Sequence, residues 1–180
     1  LGWACWKTYV GRPETDKVRS FAMNVLGNGL FFAGHHDAAL PVQEAELSLN
    51  LRLGASERNI LAVQGSLAIT YSLLGRDESA LQMHRDVYSG WLRLYGVESE
   101  ATLQAANNYE YSLINLQRYA EAKSLLRTTM PVAQRVLGDS NDTTLRMGSI
   151  YARALFEDAG ATLDDLREAV ATLEEIERTA

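Results

Sequence analysis

The sequence predicts an all-α chain, a solenoid of about four antiparallel helix pairs, and three observations carry that prediction. Leu, Ala, Glu and Arg dominate the composition and only 3 prolines fall in 180 residues, which favours helices. A glycine recurs every 42 residues, at Gly54, Gly96 and Gly138, each time closing an apolar stretch as a helix C-cap does. Between these glycines the apolar residues fall at i, i+3 and i+4, the spacing of one helix face.

The elements follow in order. Leu1 opens the chain, and Trp3, Trp6, Tyr9 and Val10 read as the end of an amphipathic helix, so residues 1–14 are expected to be the tail of a preceding repeat and the chain an excerpt of a longer protein. The first repeat, about 15–56, holds an A helix over Phe21 to Ala33, a turn at Gly34-His35-His36-Asp37 with Asp37 as N-cap, and a B helix whose first turn accommodates Pro41. In the second, about 57–98, Leu61, Leu67, Tyr71 and Leu74 mark the inner face of A, Gly75-Arg76-Asp77 turns, and Ala80, Met83, Val87 and Trp91 mark the inner face of B.

The third repeat, about 99–140, repeats the scheme with Leu103, Tyr109, Leu113 and Leu116, a turn at Gln117-Arg118-Tyr119, and then Ala122, Leu125, Leu126, Val132 and Val136. Pro131 falls inside this B helix and is expected to bend it. The fourth, about 141–180, has a longer turn at Gly160-Ala161-Thr162, a capping-box pair in Thr162 and Asp165, and a stripe of Leu166, Val170, Leu173 and Ile176. Ser56, Ser99 and Ser140-Asn141-Asp142 offer N-cap oxygens to the A helices. Ala38, Ala80 and Ala122 share the 42-residue spacing, and small side chains there let B approach A closely; in that register the first turn is one residue short.

Charge and motifs exclude several functions. The net charge is −6 and no cluster of Lys and Arg interrupts it, so nucleic acid and anionic membrane are not expected as partners. The single Cys5 cannot form an internal disulfide, no apolar run approaches the roughly 18 to 20 residues of a membrane span, and no signal peptide opens the chain, so a cytoplasmic location is expected. Adjacent histidines at His35-His36-Asp37 point apart in a tight turn and have no third ligand, so no metal is expected. No phosphate loop, zinc-binding His pair or nucleophile elbow occurs, so neither a cofactor nor catalysis is expected.

Leu103-Gln104-Ala105-Ala106-Asn107-Asn108-Tyr109 followed by Gln117-Arg118-Tyr119-Ala120-Glu121-Ala122 resembles the tetratricopeptide repeat, in its kinesin light chain-like 42-residue form. The second repeat keeps Leu67-Ala68, Tyr71, Gly75-Arg76 and Ala80. The resemblance implies a right-handed α-α superhelix whose A helices line a concave groove that holds an extended peptide or a partner helix. Stacked helix pairs leave such a face open on geometric grounds as well.

The A-helix stripe facing away from B is neutral and polar, with aromatics. It suggests that Asn24, Asn28, Asn107, Asn108, Tyr111, Arg146 and Arg153 contact a protein or peptide ligand, because the asparagine amide both donates to and accepts from an extended backbone. By resemblance, Asn28 and Asn108 occupy positions of peptide-binding asparagines. The basic residues that grip chaperone tails do not carry over, since Asn24, Val25, Ala62 and Ser66 stand at the early groove positions. Arg153 either meets an acidic ligand or pairs with Glu157. Two other readings of the chain are self-assembly through the exposed terminal helices, by Trp3 and Trp6 or by the Leu166 stripe, and a regulatory repeat segment of a larger enzyme.

Overall fold

The computed structural model describes residues 17–179, in which there are eight helices and no strand. They are α1 (Lys17–Phe32), α2 (His36–Arg52), α3 (Glu57–Leu73), α4 (Asp77–Tyr95), α5 (Glu100–Asn115), α6 (Tyr119–Leu137), α7 (Asp142–Phe156) and α8 (Leu163–Thr179). The expectations for residues 1–14, with Trp3, Cys5 and Trp6, lie outside the described residues. The chain divides into two compact units, Leu1–Met83 and His84–Ala180, with the boundary inside α4.

In the first unit α1 packs on α2 and α2 on α3. Ala22, Leu26, Leu49, Leu67 and Ala68 are buried there. A polar bond crosses the same interior, from the Thr70 hydroxyl to Gln43 Oε1 at 2.7 Å. In the second unit α5 packs on α6 and α7, α6 on α7, and α7 on α8. Its core holds Leu103, Leu113, Leu126, Met147 and Leu155, none more than 1% exposed. Side-chain bonds tie its last three helices together: Lys123 pairs with Asp158 at 2.8 Å, and Tyr151 accepts from Arg127 Nε at 3.3 Å while donating to Glu168 at 2.7 Å.

The turns explain where the repeat slips. Gly34, Gly75 and Gln117 hold the left-handed position after their A helices, at φ of 79°, 70° and 58°. Gln117 is the one non-glycine among the described residues with positive φ, a conformation in which a Cβ is unfavourable. Each turn is followed by an alanine whose N–H bonds the carbonyl four residues back, and these are Ala39, Ala80 and Ala122, all 0% exposed. The small residue at the first A–B contact is therefore Ala39; Ala38 is exposed. The first turn has the common length, and the missing residue lies in its B helix, where Gly34 and Gly54 are 20 residues apart against 21 for Gly75 and Gly96.

Three helix-end expectations need correction. His35, not Asp37, is the N-cap of α2 and makes no side-chain cap bond; Asp37 stands in the first turn, where its charge favours the helix N-terminus. Pro41 is the sixth residue of α2, beyond the first turn, and the carbonyl it leaves without an i→i−4 donor belongs to the exposed Asp37. The helix α6 continues through Pro131, whose i−4 residue Arg127 is likewise exposed. Ser99 makes no side-chain cap bond, whereas Ser56 accepts from the Asn59 N–H and Asn141 from that of Thr143. Thr162 and Asp165 exchange bonds as a capping box, at 2.9 and 3.1 Å.

The apolar stripes also shift in detail. Val136 is 41% exposed, and Trp91 is half-buried with its ring stacked on Tyr95. On α8, Ile176 turns inward against Gly148, where a Cβ would come within 3.0 Å of it. The outward stripe of α8 is Leu163, Leu166, Val170 and Leu173, each at least 42% exposed. Among the described residues no helix is long and apolar enough to cross a membrane.

Candidate functional site

A hollow of about 430 Å³ opens between α5 and α7. Asn107, Asn108 and Tyr111 line it from α5, and Leu145, Arg146, Ser149, Ile150 and Arg153 from α7. Five of the seven residues singled out in the sequence are therefore brought together. They meet because each helix presents residues three and four apart on one face, and the two A-type helices pack directly. Leu145 and Ile150 were not foreseen as lining, although Ile150 stands four residues after Arg146 on the same helical face.

Asn107 carries the most informative chemistry. It is 8% exposed, and its amide oxygen has no hydrogen-bond partner. A buried polar atom without a partner is unusual, and the residue that carries this one lines the hollow. The last side-chain torsion of asparagine is soft, so a small rotation brings either end of the amide to a ligand. Asn108 is half-buried and Tyr111 is 46% exposed.

Each of the two arginines of the hollow is paired with a carboxylate four residues away in the chain. Arg153 Nε donates to Glu157 Oε1 at 3.0 Å and its Nη2 donates to Oε2 at 3.4 Å. That bonded carboxylate holds the guanidinium pKa above its ordinary value. Arg146 reaches Asp142 at 2.8 Å.

The remaining two candidates, Asn24 and Asn28, sit in the first unit on α1 and are bonded inside the fold. Asn28 Nδ2 donates to Asn24 Oδ1 at 3.2 Å, and the Asn24 side chain hydrogen-bonds the carboxyl group of Glu46 on α2. Glu46 is 4% exposed, and burial pushes its pKa up to about 7 against the pull of that bond.

Two further buried ionisable groups lie outside the candidate residues. Glu110 is 0% exposed and accepts from the Thr129 hydroxyl at 2.6 Å, with its other oxygen unpartnered; burial raises its pKa to about 8. His84 is 3% exposed, and burial lowers its pKa to about 4. Glu110 was legible in principle, because it falls on the stripe of Leu103, Ala106 and Leu113. His36 packs its ring against Phe31 at 5.2 Å, and no group of three metal-binding side chains occurs among the described residues.

Residues 60–100 and 111–142 match the family model of the tetratricopeptide repeat. These two segments are tetratricopeptide repeats. Solved structures share the fold: a Podosopora anserina kinesin light chain with nearly identical tetratricopeptide-like repeats, in the form of a variant, aligns with a TM-score of 0.79 at 17% identity over 96% of this chain and 80% of that one. The crystal structure without that variation gives 0.78 at the same identity and coverage. BtubC (BKLC) from P. vanneervenii gives 0.78 at 14% identity over 99% of this chain and 70% of its own. The chain thus has the kinesin light chain-like repeat fold. No curated protein sequence matches it.

Proposed function

We propose that this chain is a non-catalytic, cytoplasmic protein-interaction scaffold, a single repeat array over residues 1–180 that takes an extended peptide or partner segment between α5 and α7. The observation that carries the reading is the hollow itself, lined by Asn107, whose amide oxygen has no partner, together with Asn108, Tyr111 and Arg153. Tetratricopeptide repeats are in general scaffolds for protein interaction, which supports the coarse class. Asparagine amides hold a backbone regardless of its side chains, each bond contributing about 0.5 to 1.5 kcal/mol net, so the affinity is modest unless Tyr111 and the apolar floor add to it. Asn24, held by Asn28, ties α1 to α2 through Glu46 in this reading.

The test is location. Peptides selected on the chain from a random display library are titrated into isotope-labelled protein, and the side-chain amide signals of Asn107 and Asn108 are followed by NMR. They shift first if the hollow is the site. Shifts confined to α8 or to α1 overturn the reading.

Self-assembly remains a second reading because of the exposed apolar stripe of Leu163, Leu166, Val170 and Leu173 on α8. Sedimentation equilibrium of the chain and of Val170→Ser, Leu173→Ser separates it. A concentration-dependent mass that the variant abolishes supports assembly, and a monomer throughout removes it.

A further inference from the structure

We infer that the hollow between α5 and α7 selects an uncharged, amide-rich peptide segment and rejects acidic ones, a specificity that rests on the hollow being the binding site. Arg146 and Arg153 are the charged residues of its lining. Both already hold a carboxylate, and Glu157 grips Arg153 through two bonds while also accepting from the Tyr119 hydroxyl at 3.5 Å. The Arg153 and Glu157 side chains are 37% and 30% exposed, so this pair is partly shielded from solvent and is more persistent than a fully solvated surface pair. An incoming carboxylate meets guanidinium groups whose charge is already offset by Glu157 and Asp142, so it gains less there than at a free arginine and is repelled by the carboxylates beside them.

The polar groups that remain are matched to neutral partners. In the orientation it holds, the Asn107 oxygen calls for a donor, which a backbone or side-chain amide N–H supplies and an ionised carboxylate does not. The Ser149 hydroxyl spends its proton on the Leu145 carbonyl at 3.0 Å and offers lone pairs, which again call for a donor. A lysine or arginine would supply donors but would meet two guanidinium groups in the walls whose carboxylates are already engaged, so its charge gains no net attraction there. Leu145, Ile150 and the Tyr111 ring leave room for one apolar or aromatic side chain. The net charge of −6 adds a general repulsion of anions.

The experiment uses ten-residue peptides of one length with one central aromatic residue, carrying no charge, two or four glutamates, or two lysines, titrated against the 180-residue chain by fluorescence anisotropy over a range of salt concentrations. The uncharged peptide is expected to bind tightest, each added glutamate weakening binding roughly two- to fivefold, with little salt dependence for the uncharged member. Glu157→Gln frees the Arg153 fork; the four-glutamate peptide then gains roughly fivefold while the uncharged one is unchanged. Tighter binding of the acidic peptides to the unaltered chain, weakening with salt, overturns the selectivity and leaves the hollow standing as a site. An equal response of both peptides to Glu157→Gln also overturns it. If no peptide of any charge binds, the hollow is not a binding site and the inference falls with it.

Discussion

Two asparagine pairs on two A-type helices show how the same residue type is spent differently. Asn24 and Asn28 are four apart and share a face of α1, so their amides reach each other, and Asn24 goes on to the buried Glu46. Asn107 and Asn108 are adjacent, and a turn of about 100° per residue aims them apart. Neither is bonded to the other. Asn107 is left buried with an oxygen unpaired at the hollow. Spacing decides whether such a pair holds the fold or remains available to a ligand.

The comparison is broken most strongly through stability. Asn24→Ala leaves the Glu46 carboxyl without its hydrogen bond and Asn28 without its acceptor, at an expected cost of about 1 to 3 kcal/mol in chemical denaturation. Asn107→Ala removes no bond to the amide oxygen and is expected to cost under about 1 kcal/mol. Equal costs would show that the two pairs play the same part.

The pH dependence of folding comes next. Glu46 and Glu110 have folded pKa values raised to about 7 and about 8 from 4.5, so the folded chain binds the extra protons. Their contribution is fully present below about 4.5 and is lost as pH rises through 7 and 8. His84 acts in the opposite sense, since its folded pKa of about 4 lies below 6.5 and its contribution is lost as pH falls from 6.5 towards 4. Between pH 6.5 and 8 the two carboxyls outweigh His84, and stability is expected to fall on the order of 1 kcal/mol per pH unit while Glu110 is taking part. Glu110→Gln keeps an acceptor for Thr129, flattens that slope and raises stability at pH 8. A slope unchanged by the substitution would place the titration elsewhere.

The smallest effect sharpens the comparison of the turns. Gln117 adopts the backbone conformation that glycine holds at Gly34 and Gly75, so Gln117→Gly is expected to stabilise the second unit by about 0.5 to 1 kcal/mol, read as a higher melting temperature. A lower melting temperature would mean that the side chain contributes more than its backbone costs.

Much of the fold was legible because it is repeated. The glycines at 54, 96 and 138 and the apolar spacing recur in three copies that reinforce one another, and the single capping-box pair of Thr162 and Asp165 adds a local signal of its own. What was not legible depends on register. Ala38 and Ala39 are indistinguishable by type, and only the one-residue shortfall inside α2 puts Ala39 at the helix contact. Ile176 shares a sequence stripe with Leu173, yet the missing side chain at Gly148 draws it inward. Glu46 and Glu110 look like solvated helix residues until the turn phase sets them on buried stripes.

For the site, the convergence of Asn107, Asn108, Tyr111, Arg146 and Arg153 followed from helical spacing together with the stacking of successive A helices in a repeat. The internal bonding of Asn24 and Asn28 did not, since it needs Glu46 from another helix.

The most direct measurement is a calorimetric titration of one selected peptide into the unaltered chain, the Asn107→Ala, Asn108→Ala variant and the Asn28→Ala variant, with folding of each checked by circular dichroism. The account predicts a loss of about tenfold in affinity for the double variant and less than about twofold for Asn28→Ala. An unchanged affinity for the folded double variant, or a larger loss at Asn28, would contradict it.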